Sequence, residues 1–88
     1  EFQESLKPKQ LSAKSETEKE YIRRINYGRI MQSKKMYSQA AREFSTAVKL
    51  MPDSIEGWLE LGFAQMALKS YDKAEKTFKK AQAIDPES

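Results

Sequence analysis

Side chains able to do acid–base or nucleophilic chemistry are few in this sequence and dispersed along it. There is no histidine and no cysteine. That removes thiol nucleophiles, disulfides, zinc sites of the usual ligand types and the commonest general base. The carboxylates at Glu16, Glu18, Glu56, Asp72 and Glu75 fall where helices are expected to begin, and there they have a structural account as caps and as partners of the helix dipole. No glycine-rich phosphate loop accompanies them. The pattern supports neither an enzyme nor a metal site, and it implies no cofactor.

Two charge-based chemistries have more to draw on. Arg23, Arg24, Arg29, Lys34, Lys35, Arg42 and Lys49, with Tyr21, Tyr27 and Tyr37, could serve phosphate contacts and base stacking. The net charge of +3 divides as −1 over residues 1–20, +5 over 21–54 and −1 over 55–88, so the basic character belongs to one stretch. Helical spacing nevertheless scatters these bases over several faces, the ordinary appearance of a solvated surface, and nucleic acid is a poor fit. A membrane surface fits no better. Lys69, Lys73, Lys76, Lys79 and Lys80 lie among apolar residues committed to an internal packing pattern, and no run approaches the roughly 18 apolar residues that span a bilayer.

The elements that position these groups show in a repeat. Gly28, Tyr37, Ala40, Phe44, Ala47 and Pro52 recur as Gly62, Tyr71, Ala74, Phe78, Ala81 and Pro86, a period of 34 residues. A first helix is expected from a capping box at Ser15-Glu16-Thr17-Glu18 to about Ser33, with Tyr21, Ile22, Ile25, Tyr27, Gly28, Ile30 and Met31 in its apolar pattern. A second covers roughly Ser38 to Leu50 and ends at Met51-Pro52. Asp53 or Ser54 caps a third, reaching about Leu68. Asp72, with Glu75 completing a second capping box, starts a fourth that stops before Asp85-Pro86. No stretch alternates with a period of two, so no strand is expected. A mid-helix glycine costs about 1 kcal/mol against alanine. The recurrence of Gly28 and Gly62 therefore implies close approach of the paired helix through Ala40 or Ala74, with Phe44 or Phe78 filling the space beside it.

These residues resemble the tetratricopeptide repeat. The second unit matches at Trp58, Leu61, Gly62, Tyr71, Ala74, Phe78, Ala81 and Pro86, with Gln65 in place of a tyrosine. The first is looser, with Arg24 for tryptophan, Tyr27 for leucine and Met31 for tyrosine. The resemblance covers residues 21–88. It implies an all-α, right-handed α-solenoid of two helix–turn–helix hairpins, residues 15–54 and 55–88, whose first helices line a concave surface that grips a peptide or helix of a protein partner. Residues 1–14, with Pro8 and sparse apolar positions, read as a flexible lead-in or as an arm that docks on a repeat.

By helical spacing the concave candidates are Ile22, Ile25, Asn26, Arg29, Gln32 and Ser33, then Glu56, Leu59, Glu60, Phe63 and Met66. Leu59, Phe63 and Met66 read either as an apolar groove for a partner or as packing for a neighbouring repeat. Arg29, Glu56 and Glu60 are expected to tune charge preference. The carboxylate clamp that some members use for acidic tails is not matched, because Ile25 stands in its lysine slot and Glu56 and Glu60 repel an acidic ligand.

The expected function is a protein-interaction module, an adaptor or scaffold. Repeat arrays usually need about three units, and two hairpins leave Leu68 and Ile84 partly open. Truncation from a longer array, self-association through that end, and cover by the N-terminal segment all remain open. The chain opens Glu1-Phe2 without a methionine, which reads as a cloning scar on an expressed piece. No compartment follows from the sequence, and the cytoplasm is only a default.

Overall fold

The computed structural model describes residues 15–87; the lead-in expected over 1–14 lies outside them. Four helices follow in order, α1 (Glu16–Ser33), α2 (Tyr37–Leu50), α3 (Ile55–Ala67) and α4 (Tyr71–Ile84), with no strand among the described residues. The chain is all-α. Helix α1 packs on α2, α2 on α3 and α3 on α4, so two hairpins stack into a short helical solenoid.

The capping box at the start of α1 forms as its residue types require. Ser15 Oγ accepts the Glu18 amide at 3.1 Å, and the Glu18 carboxylate accepts the Ser15 amide at 2.9 Å, satisfying two orphan donors reciprocally. The turns inside the two hairpins are copies of each other. Lys35 and Lys69 adopt left-handed backbone at φ 64 and 65. In each turn the next amide reaches back to the last helical turn, Met36 N–H to Met31 O at 2.8 Å and Ser70 N–H to Gln65 O at 2.8 Å. This Schellman arrangement usually carries glycine at the left-handed position.

Two caps differ from expectation. Helix α4 begins at Tyr71 behind Ser70, which makes no side-chain cap. Asp72 therefore lies inside the first turn, and the second capping box does not form; the turn closed by Ser70 N–H leaves no extended residue at position 72 to act as a cap. Ser54 precedes α3 but also makes no side-chain cap. Its hydroxyl is engaged by Tyr21 Oη at 2.6 Å, and Tyr21 Oη accepts the Gly57 amide at 3.0 Å. A buried tyrosine of α1 thus does for α3 what a capping side chain would do locally.

The core gathers Tyr21, Ile25, Ala40, Phe44, Ala47 and Val48 from the first hairpin with Leu61 and Ala64 from α3. The ring of Phe44 or Phe78, and not the alanine, takes the space nearest each mid-helix glycine. A Cβ at Gly28 would lie 2.4 Å from the Phe44 ring, and one at Gly62 2.5 Å from the Phe78 ring. The glycine therefore admits the aromatic ring itself onto the α1 or α3 backbone, and the alanine is not its nearest contact. Gly57 serves another approach, since a Cβ there would meet Val48 Cγ1 at 3.0 Å.

Ile22, Tyr27 and Ile30 of the expected apolar pattern are exposed. Tyr27 and Ile30 correspond, 34 residues on, to the buried Leu61 and Ala64, which face the preceding hairpin. Helix α1 has no preceding hairpin among the described residues, so the same stripe stays in solvent.

Candidate functional site

The first helices, α1 and α3, lie against each other through one ionic cluster. Arg29 on α1 donates from Nε to Glu60 at 2.8 Å and from its terminal nitrogen to Glu56. Glu56 and Glu60 are one helical turn apart, so both carboxylates converge on one guanidinium. The Glu60 hydrogen bond, against desolvation and ahead of Glu56, raises Arg29 above its ordinary arginine value. It therefore stays charged at any working pH. A second bridge ties the first hairpin together, where Arg24 meets Glu43 at 2.9 Å and Glu20 at 2.8 Å.

The expected site residues divide into three groups. Ile25, expected on the concave surface, belongs instead to the core at 3% exposure, where it clusters with Tyr21, Phe44 and Val48, and it offers nothing to a partner. Arg29, Glu56 and Glu60 are near the surface but satisfy each other. Asn26, Phe63 and Met66 are exposed, and Leu59 is half-buried. Phe63 is 53% exposed and Met66 46%, one helical turn apart on α3.

Phe63 also meets Phe78 edge to face, with ring centroids 5.4 Å apart. From there the apolar surface leaves the inner face and wraps onto the open flank of the second hairpin. Met66, Tyr71, Ala74 and Phe78 line a hollow of about 340 Å³. Ile55, Leu59, Phe78, Ala81, Gln82 and Asp85 line another of about 230 Å³. Tyr71, Phe78 and Gln82 are not among the expected site residues; Tyr71 and Phe78 enter the sequence pattern as repeat positions, and Gln82 is no part of it. The signal that could have found two of them is the register itself: the counterparts of Phe78 and Gln82, Phe44 and Val48, cluster with Leu61 and Ala64 of the following helix.

A third, more polar hollow lies beside the ionic cluster, lined by Arg29, Gln32, Ser33, Tyr37 and Glu60. Gln32 Oε1 is buried there with no hydrogen-bond partner among the described residues. A buried acceptor left unmade costs about 1–3 kcal/mol, and a donor entering this hollow would relieve it.

The tetratricopeptide repeat profile matches residues 32–88, and no curated protein matches the chain. The matched span leaves out nearly all of α1, where Arg24 and Tyr27 depart from the pattern. Repeats of this kind generally mediate protein–protein interaction and typically act as non-catalytic scaffolds. With well over half its length matched and its helices paired as hairpins, the chain belongs to the tetratricopeptide repeat family.

Proposed function

We propose that this protein is an adaptor that holds a helix or extended peptide of a partner protein, with Phe63, Met66 and Leu59 as its apolar contacts. The observation that carries this reading is the exposure of Phe63 and Met66 side by side on α3, continuous with the hollow at Tyr71 and Phe78. Large apolar groups clustered in one exposed patch mark interaction sites, whereas scattered ones do not. Burying such a patch supplies about 25 cal/mol per Å² of apolar surface.

The ionic cluster has a structural part beside its expected one. Arg29, Glu56 and Glu60 hold α1 and α3 in register, and one cation against two acids leaves the strip with a residual negative charge that disfavours acidic ligands. Asn26 and the Gln32 acceptor supply polar contacts on that strip.

The test is selection of binding peptides from a random display library, followed by Phe63→Glu and Met66→Glu. Peptides that bind the chain and lose at least tenfold in affinity with either variant support the reading. Peptides indifferent to both variants remove it. Self-association is the second reading, favoured by exposed Leu68 and Ile84 on the second hairpin. A mass that grows with concentration in light scattering would establish it, and a constant 10.2 kDa would dismiss it.

A further inference from the structure

The basic residues of the first repeat divide by helix. On α1 each arginine is answered, Arg23 by Glu20, Arg24 by Glu20 and Glu43, and Arg29 by Glu56 and Glu60. On α2, Arg42 and Lys49 meet no acid among the described residues. Nor are these two scattered. With Ser38, Ser45 and Thr46 they recur at the three- and four-residue steps of one helix face. That face, together with Gln65 of α3, lines a hollow of about 400 Å³.

Its polar side chains are donors. Gln65 Oε1 accepts the Thr77 hydroxyl at 2.6 Å, which leaves the amide nitrogen of Gln65 with two N–H groups to give. The Ser38 and Ser45 hydroxyls have no partner among the described residues, while Thr46 Oγ1 donates to Arg42 O at 3.2 Å. Arg42 adds a fork of N–H groups and Lys49 an ammonium. No carboxylate is among the lining residues. Gln65 replaces the tyrosine of the repeat pattern, so its amide donor is particular to this chain.

We infer that this hollow binds a phosphorylated side chain of a protein partner, held by Arg42 and Lys49 with Gln65 and the serine hydroxyls as further donors. A phosphoryl group brings about two negative charges and three acceptor oxygens, which answer two cations and donors from two helices. A carboxylate brings one charge and two oxygens. A nucleic-acid backbone repeats its charge about every 1.7 Å along a duplex and calls for a track of cations, whereas these two converge on one hollow. A membrane surface calls for apolar groups beside the cations, and this face of α2 carries serine and threonine.

Gln65 is two residues from Phe63 on α3, about 200° round the helix. The hollow therefore lies across α3 from the apolar patch, and its occupancy does not depend on Phe63 and Met66.

The probes are two degenerate seven-residue peptide libraries, one with a fixed central phosphoserine and one with serine there. The immobilised full chain is expected to retain the first about tenfold over the second. Labelled peptides recovered from it, read by anisotropy, should lose about fivefold in affinity with Arg42→Gln or Lys49→Gln. Both side chains are exposed, so the helices should persist by circular dichroism. Gln65→Glu keeps an acceptor for Thr77 but replaces the donor with a charge of the wrong sign. It should lose about tenfold with little change in the thermal melt. Lys19→Gln combined with Lys79→Gln removes two cations elsewhere and should change binding less than about twofold.

An equal loss in that double variant would mean attraction to net charge alone and overturn the site. Equal retention of the two libraries, or peptides indifferent to Arg42→Gln and Lys49→Gln, would overturn it as well. Inorganic phosphate competing as tightly as the peptides would make the hollow an ion site and remove the protein partner. Phosphatidylserine vesicles or a single-stranded oligonucleotide binding more tightly, with the same dependence on Arg42 and Lys49, would also overturn that partner class. None of these results bears on the Phe63 patch, which its own variants test.

Discussion

Phe44 and Phe78 occupy one position in two consecutive repeats and live in different surroundings. Each lays its ring on a glycine of the preceding helix, at nearly the same distance. Phe44 is then sealed at 0% exposure because α3 closes over it, while Phe78 stays half-buried beside two hollows. The same contrast runs through Ile25 and Leu59, and through Val48 and Gln82. The second repeat has the better match to the family pattern, yet the first is the better packed. Fit to a repeat pattern reports the contacts within a hairpin. Packing density depends on whether another helix lies on the flank.

Substitutions at matched positions probe this contrast directly. The largest difference is expected at the aromatic pair. Phe44→Ala should cost about 3–5 kcal/mol, as for a fully buried phenyl, and Phe78→Ala clearly less, since part of its ring is in solvent. Urea denaturation of the two variants compares them, and equal losses would mean that Phe78 is covered in solution.

The glycines come next. Gly28→Ala forces a methyl into the enclosed Phe44 ring and should cost about 1–3 kcal/mol of overpacking. At Gly62 the Phe78 ring has open space to swing into. The helix-propensity gain of about 1 kcal/mol then leaves Gly62→Ala within about 0.5 kcal/mol of the parent. A thermal melt separates them, each kcal/mol amounting to about 4–8 °C in a domain of this size.

Tyr21→Phe removes the acceptor of the Gly57 amide and the partner of Ser54. A loss of about 1–2 kcal/mol is expected, with faster hydrogen exchange confined to the first turn of α3. Uniform acceleration across all four helices would show that the cap is not a local device.

The smallest effect belongs to the ionic cluster. Arg29→Ala should cost about 0.2–1 kcal/mol, because Arg29 and Glu56 are each half-exposed and such pairs gain little in water. The loss should shrink as salt is added. A double-mutant cycle with Glu60→Gln measures the coupling.

Much of the fold was legible in the residues because its information is local. The capping box at Ser15, the stop at Met51-Pro52, the small–aromatic–small series at Ala40, Phe44 and Ala47, and the 34-residue recurrence all act within a helix or between adjacent ones. The candidate site was less legible. Spacing lists Arg29, Glu56 and Glu60 as candidates for one surface, but spacing alone does not show that they answer each other's charge. Ile25 was placed on the surface by the same spacing and is in the core, since a helix wheel does not say how widely the neighbouring helix covers it. Ser54 looked like a cap, and its hydroxyl instead meets a tyrosine from the preceding hairpin.

The sequence by itself determined that this protein is a pair of helical hairpins with no histidine or cysteine chemistry, because periodicity, caps and composition act over one or two turns of chain. Only the tertiary structure decided which apolar groups are consumed in packing and which stand free. Tyr21 and Phe44 are closed over by α3, whereas Phe63 and Met66 face outward, and burial is a property of what lies against a residue rather than of the residue or its neighbours in sequence.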